Sequence, residues 1–294
     1  MCSLKKMVVC ACNENEDYLQ FWNIQRILWN KKGWLIRLYF IGSEETYNKL
    51  NKEQAEVIHI NPINGINTAY MAQMYAQYSH ILEKDNDTIV ISIGMDNILV
   101  GNPPYLEDEF LKKINDNEIH HIMLDFNNKI NTYGNKKTSE YYISLWFLYK
   151  VRTFKELMGV SSNENFNFTK FIIDNYPTNY RIRGSGWGTD QEILNKSIKT
   201  WVSANINNKL LIYSVNDVKE RWLYRIASSK TPSYDMKDSI THNVINNNYI
   251  EYIKTNKNIY WIHPFLGHLF NTNKDIANLK IKTDIINPLI EYFK

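Results

Sequence analysis

The sequence predicts an α/β fold: one domain with a mostly parallel central sheet flanked by helices. Three observations carry this. From residue 7 to residue 93, apolar runs of strand length alternate with longer helical stripes, in the order β-α-β-α-β-α-β. The opening run, "MVVCAC", is apolar throughout and of buried-strand type. No Pro/Ser-rich linker and no internal repeat divides the chain. Within this single domain, residues from about 1 to 101 form the regular half and residues from about 102 to 294 a more elaborated half.

"MVVCAC" (7–12) is the first strand. In "ENEDYLQFWNIQRILW" (14–29), Tyr18, Phe21, Trp22, Ile24, Ile27, Leu28 and Trp29 recur with helical spacing behind an acidic first turn. "WLIRLYFIG" (34–42) is the second strand, and Ser43 caps a short helix that opens with Glu44 and Glu45. "AEVIHI" (55–60) is the third strand. "NTAYMAQMYAQYSHIL" (67–82) is a long helix with Tyr70, Met71, Met74, Tyr75, Tyr78, Ile81 and Leu82 on one stripe. "DTIVISI" (87–93) is the fourth strand. Further on, "EIHHIMLDF" (118–126), "EYYISLWFLYKV" (140–151) and "NKLLIYSV" (208–215) read as strands. "RTFKELMGV" (152–160) and "VKERWLYRIA" (218–227) read as short helices.

Composition removes several function classes. Hydrophobic residues make up 44% of the 294 residues, enough for a substantial core. A net charge of +3 with no Lys/Arg-rich block gives no footprint for nucleic acid. No apolar segment reaches the ~18 residues of a membrane span, and no signal peptide is visible at the start. The expected location is therefore cytoplasmic. Cys10 and Cys12 alternate along one strand and face the same way, as small buried residues rather than a metal pair. There is no G-x-G-x-x-G after the first strand, no P-loop and no G-x-S-x-G elbow.

Four places carry candidate chemistry. The first is "ISIGMDNILVG" (91–101), where Gly94, Met95, Asp96 and Asn97 interrupt two apolar runs. A carboxylate at a strand end suits a hard cation held against a diphosphate; the same residues also suit a plain turn. The second is "GSGWGTDQEILN" (184–195). Thr189 and Glu192 fit a capping box, which puts Asp190 and Gln191 in the first helical turn, where the helix start keeps Asp190 ionised. Ile193, Leu194, Ile198 and Trp201 form the buried stripe. Trp187, between Gly186 and Gly188, suits a sugar face, and Asp190 suits a base or a hydroxyl anchor; the rival reading is a simple cap. The third is "RWLYR", with Arg221 and Arg225 on one helical face for a diphosphate, or merely solvated. The fourth is the set His242, His263 and His268, any of which could complete a metal site or contact phosphate.

Taken in order, "ACNENEDY", "YFIG", the "GINTAYMAQMYAQYSHIL" helix, "ISIGMDNILVG", "GWGTDQEILN", "RWLYR" and "DSITH" resemble a nucleotide-sugar-dependent glycosyltransferase of the GT-A fold. The nearest group is the small transferases of large DNA viruses and bacteria that build surface glycans. The resemblance runs from about residue 7 to about residue 245. It implies sugar transfer to a hydroxyl of a glycan or lipid-linked acceptor. The donor would be a nucleotide diphosphate sugar, with UDP first and GDP or TDP as alternatives. Residues 1–101 would then be the nucleotide-binding half. Ala11, Cys12 and Asn13 would contact the donor base. Gly94, Met95 and Asp96 would lie along the diphosphate, with Asp96 and His263 holding Mn²⁺ or Mg²⁺. Arg221 and Arg225 would contact the donor. Trp187, Gly188, Gln191 and His242 would face the acceptor, and Asp190 would be the base of an inverting displacement. One departure stands out: the family's D-x-D has Gly94 in place of its first Asp. A non-catalytic nucleotide-sugar or glycan-binding protein is the rival this departure raises.

Overall fold

The computed structural model describes residues 4–115, 121–125, 146–160, 166–182, 184–204, 211–214, 223–225, 249–255, 261–263 and 286–293. Its regular half alternates as expected: β1 (Lys6–Asn13), α1 (Glu16–Leu19), α2 (Trp22–Lys31), β2 (Leu35–Ile41), α3 (Glu44–Lys49), β3 (Ala55–Ile60), α4 (Thr68–Tyr78), β4 (Ile89–Ile93) and β5 (Ile98–Leu99). There follow α5 (Asp108–Asn115), β6 (His121–Asp125), β7 (Trp146–Lys150), α6 (Val151–Leu157), α7 (Phe168–Asp174), α8 (Thr189–Ala204), β8 (Leu211–Ser214), β9 (Leu223–Arg225), α9 (Tyr249–Thr255), β10 (Trp261–His263) and α10 (Asn287–Phe293).

Among the described residues, seven strands form one sheet in the order β3-β2-β1-β4-β7-β6-β8. β1 pairs in parallel with both β2 and β4, and β2 with β3. β7 is antiparallel to β4 and β6, and β8 is parallel to β6. The expected mostly parallel sheet is therefore present, with one reversed strand. The order of elements reverses at β1, since β2 and β3 build out on one side and β4 on the other. Asn13, Ile41, Ile60 and Ile93 all end on the same edge. A second sheet, β5-β10-β9, stands beside the β4 end.

Residues of β1 alternate between two cores. Val8, Cys10 and Cys12 pack with Ile36, Leu38, Ile91 and Ile93 under Trp22, Leu28 and Trp29 of α2. Met7 and Val9 pack with Tyr39, Ile41 and Val90 under Met71, Met74, Tyr75 and Tyr78 of α4, joined by Phe154, Ile172, Leu194 and Ile198. Strand side chains have period two, so an all-apolar run fills both faces at once. The shared face of Cys10 and Cys12 is confirmed. Both are free and buried, and burial raises both thiols, Cys12 to about 12. Neither is a thiolate nucleophile.

Two helical expectations need correction. The stripe over residues 16–29 is broken into α1 and α2 at Gln20–Phe21, where the Gln20 side chain donates to Asp17 O at 2.9 Å. The break lets Phe21 and Trp22 both turn inward. The long helix stops at Tyr78, and a 3₁₀ turn over Ser79–Leu82 follows, which leaves Leu82 exposed instead of on the stripe. The Ser43 cap is made: its hydroxyl accepts from Thr46 N–H at 3.3 Å.

Ser43 does more than cap. Its backbone N–H donates to Glu14 Oε1 at 3.0 Å, and its hydroxyl donates to the same oxygen. These bonds tie the end of β1 to the β2–α3 loop and hold the Glu14 carboxyl below the usual carboxylate range. Gly42 makes room for this: a Cβ there would lie 2.4 Å from Glu14 Cγ and 2.7 Å from Phe40 Cζ. Ser43→Ala should therefore cost about 1–2 kcal/mol in urea unfolding. It should also let the Glu14 carboxyl titrate closer to its ordinary range in an NMR pH series. Unchanged stability would remove Ser43 from this role.

Candidate functional site at the carboxyl edge

Ligands of open parallel sheets bind outside the carboxyl ends of the strands, where the strand order reverses. Here that point lies between β1 and β4. On the β1 side, Asn13 Nδ2 donates to Thr68 Oγ1 at 3.1 Å, linking the strand end to the start of α4, and Asn13 Oδ1 accepts from Asn15 N–H at 3.3 Å. Ala11 is half-buried on the α4 face, whereas Cys12 points into the α2 core. Only the backbone of Cys12 is thus offered to a ligand.

On the β4 side, Asn97 N–H closes on Gly94 O at 3.1 Å, so Gly94 to Asn97 form a tight turn. Asp96 is buried at 8% exposure and Asn97 and Met95 are buried with it. Gly94 is crowded in the same geometry. A Cβ at this position would lie 2.8 Å from Asn97 Nδ2 and 3.0 Å from Asp96 Oδ1. A first aspartate would push the ends of these two buried side chains aside.

The turn is held from below by a residue that sequence reasoning missed. Gln25 of α2 is fully buried. Its Nε2 donates to Met95 O at 2.9 Å and to Asn97 O at 2.7 Å, the carbonyls on either side of Asp96. Its Oε1 accepts from Trp29 Nε1 at 3.1 Å. The sequence signal was a polar residue amid an apolar stripe, with Phe21, Trp22, Leu28 and Trp29 at its i±3 and i±4 neighbours.

β5 follows the turn and pairs antiparallel with β10, Ile98 opposite Ile262, so His263 of β10 and Asn97 come next beyond that pair. β10 pairs in parallel with β9, and His263 aligns with Arg225. The backbone of His263 thus comes next to Asn97, with the backbone of Arg225 one strand further out. Residues 223–225 are a strand, not the helix expected over 218–227, because they complete this small sheet. Arg221, His242 and His268 lie outside the described residues. Among the described residues no three His, Cys, Asp or Glu side chains gather as a metal cluster. The turn offers one carboxylate, a donor set that fits a Mg²⁺ or Mn²⁺ shared with phosphate oxygens and water.

Asp190 lies elsewhere, against α4. Its backbone carbonyl accepts from the Tyr78 hydroxyl, and Gln73 Nε2 donates to Trp187 O at 3.0 Å. Tyr180 donates to Gln73 Oε1 at 3.1 Å. Trp187 is half-buried and stacked on Tyr180, with ring centroids 6.1 Å apart. Gly188 and Gln191 are half-buried beside it. Of the loop glycines, Gly186 has φ +74° and passes Pro177 too closely for any Cβ, which would lie at 2.8 Å; Gly188 has open space.

Two expectations fail here. The capping box is not made: Thr189 is already helical, its hydroxyl donates to Gly186 O at 2.8 Å, and Glu192 N–H bonds Gly188 O. Nor is Asp190 kept ionised by the helix start. It is 6% exposed, its Oδ1 has no hydrogen-bond partner, and burial pushes its carboxyl up to about 7. Desolvation outweighs the N–H groups of Gln191 and Asp190 and the Gln77 side chain, which all pull the other way.

Unfolded, Asp190 ionises near 3.8; folded, near 7. The folded state holds the proton longer, so stability should fall as pH rises between these values, by on the order of 4 kcal/mol in all. Asp190→Asn should unfold at higher urea than the parent at pH 8 and show no such gain at pH 4. Equal stabilities at pH 8 would contradict the burial of this charge. Gly94→Asp, which restores the two-acid pattern, should cost about 1–3 kcal/mol by crowding Asn97 and Asp96. An unchanged urea midpoint would refute the steric account.

No family model matches the chain and no curated protein matches it. Among solved structures it is similar to the galactosyltransferase LgtC in complex with donor and acceptor sugar analogues, at 13% identity and TM-score 0.47, over 97% of this chain and 95% of that one. An active-site mutant of LgtC gives 12% and 0.46 over the same shares. The bifunctional glycosyltransferase WbbM, in its apo form, gives 12% and 0.48 over 98% of this chain and 52% of that one, so the chain spans about half of that protein. The similarity runs over nearly the whole chain, and at these TM-scores the functional reading rests on the residues alone.

Proposed function

We propose that the chain is a GT-A-type glycosyltransferase that moves a sugar from a nucleotide diphosphate sugar to a hydroxyl acceptor. One observation carries the reading: a braced carboxylate turn, Asp96, stands across from Asn13 where the order of parallel strands reverses. In this reading Asn13 and the backbone of Ala11 and Cys12 meet the nucleoside. Asp96 holds Mn²⁺ or Mg²⁺, and His263, whose backbone follows the Ile262–Ile98 pair, is the second proposed ligand. The metal, when bound, supplies positive charge to the departing diphosphate. Gly94 and Met95 line the diphosphate path, and Arg225 adds charge from β9. UDP is the first nucleotide to test, then GDP and TDP. The nucleotide half ends near residue 101; the rest serves a glycan or lipid-linked acceptor, with no candidate membrane-spanning helix among the described residues.

Asp190 is the proposed base. A carboxyl with a pKa near 7 takes up a proton efficiently at neutral pH. The stacked Trp187–Tyr180 pair offers an acceptor ring an aromatic face beside it. The acceptor hydroxyl would give Asp190 its proton while attacking the anomeric carbon, and the nucleoside diphosphate leaves with the bonding pair, inverting the centre. One specific observation favours a second reading: at 6% exposure Asp190 could be a purely structural carboxyl.

The experiment is a thermal-shift screen against UDP-, GDP- and TDP-sugars with and without Mn²⁺, followed by donor hydrolysis. Stabilisation by one nucleotide sugar, larger with Mn²⁺, is expected. No response to any nucleotide sinks the transferase reading, and binding without turnover favours the non-catalytic rival. Asp96→Ala should erase the Mn²⁺ increment. Asp190→Asn should cut turnover by at least about a hundredfold with donor affinity intact, and parent turnover should rise with pH through about 7. Full turnover in Asp190→Asn assigns Asp190 to structure.

A further inference from the structure

We infer that Gln25 is a positioning residue for the Asp96 carboxylate, and that its single amide sets where the donor diphosphate is held. The inference rests on the transferase reading. An amide group has two donor hydrogens and one acceptor oxygen. Gln25 uses all three kinds of contact on the turn and its own helix: Nε2 to Met95 O and to Asn97 O, and Oε1 from Trp29 Nε1. Met95 O fixes the peptide plane that precedes the Asp96 Cα, Asn97 O fixes the peptide that leaves the turn, and the plane between them is held by the Asn97 N–H bond to Gly94 O at 3.1 Å. An indole nitrogen only donates, so Trp29 obliges Oε1 to face it and leaves Nε2 to face the turn.

The same helix holds the far end of the segment. Lys32, the C-cap of α2, donates from Nζ to Gly101 O at 2.6 Å and to Asn102 Oδ1. Trp29 also packs on Trp261 of β10, with centroids 6.0 Å apart. Gln25, Trp29 and Lys32 thus carry the segment from Met95 to Asn102, together with the strand that ends at His263. A core amide is a poor way to fill space, since an aliphatic chain of similar size needs no partners. Both of its donor hydrogens are spent on the turn that carries the candidate ligand, and its oxygen is held by Trp29.

Two variants test this in the full chain. Gln25→Leu removes the amide, and Trp29→Phe keeps a ring but frees the amide to rotate. Backbone amide exchange is followed at Asn97, whose N–H closes the turn, and at Cys10 and Leu38 in the parallel strands as controls. UDP-sugar affinity is measured by calorimetry with Mn²⁺, on folded protein. The expected result is faster exchange at Asn97, unchanged exchange at Cys10 and Leu38, and affinity weakened by about 10–100-fold in Gln25→Leu, with a smaller loss in Trp29→Phe. Should Gln25→Leu fail to fold, Trp29→Phe carries the same comparison. Unchanged exchange at Asn97 overturns the inference. Faster exchange with unchanged affinity also overturns it, because Gln25 would then be structural only. A parent chain that binds no nucleotide sugar overturns the transferase reading itself, and the inference with it.

Discussion

The parallel pairing of β1 with both β2 and β4 is the constraint on which the rest depends. Parallel strands all end on one edge, and their backbone groups beyond the last ladder bond must find other partners there. This chain finds them with side chains. Glu14 takes the Ser43 amide, Asn13 takes the Asn15 amide, and Gln25 takes two carbonyls of the Gly94–Asn97 turn. The edge is therefore a set of loops tied to one another and to two helices. Such rigidity is what a site needs if its polar groups are to meet a ligand without being reorganised first.

The energetic weight of these ties is uneven. A neutral hydrogen bond adds about 1 kcal/mol net, but a buried carbonyl left unpaired costs about 1–3. The two carbonyls beneath the turn sit beside buried residues, so the cost of losing Gln25 is larger than the gain from having it. Glu14 and Ser43 are exposed and contribute less. Asp190 shows the opposite balance. Its carboxyl was enclosed by α4 and its tyrosines at a cost that the local N–H groups only partly offset. Groups kept at such a cost are those worth examining for chemistry.

The regular half of the fold was legible because its signals are local. Val, Ile and Leu runs marked β1 to β4, Ser43 marked its own cap, and the stripes of α2 and α4 matched their buried faces. What was not legible was tertiary. Gln25 and its carbonyl partners are some 70 residues apart in sequence, and only its place amid an apolar stripe hinted at a partner. Thr189 and Glu192 had the right spacing for a capping box, but the Gly186 carbonyl took the hydroxyl. Asp190 looked ionised from its helix start because the rings that bury it come from elsewhere. Nor could the sequence show that the ends of the Asn97 and Asp96 side chains crowd the place where a side chain at Gly94 would begin.

The central claim is that the gap between the β1 and β4 ends holds a metal–diphosphate pair. Paramagnetic broadening of backbone amide signals by Mn²⁺ tests it most directly. With UDP-sugar present, the account predicts broadening centred on Asn13 and Gly94 to Asn97, absent or much weaker without the nucleotide, and gone in Asp96→Ala. Broadening centred on any other part of the chain, or none with any nucleotide sugar, would contradict it.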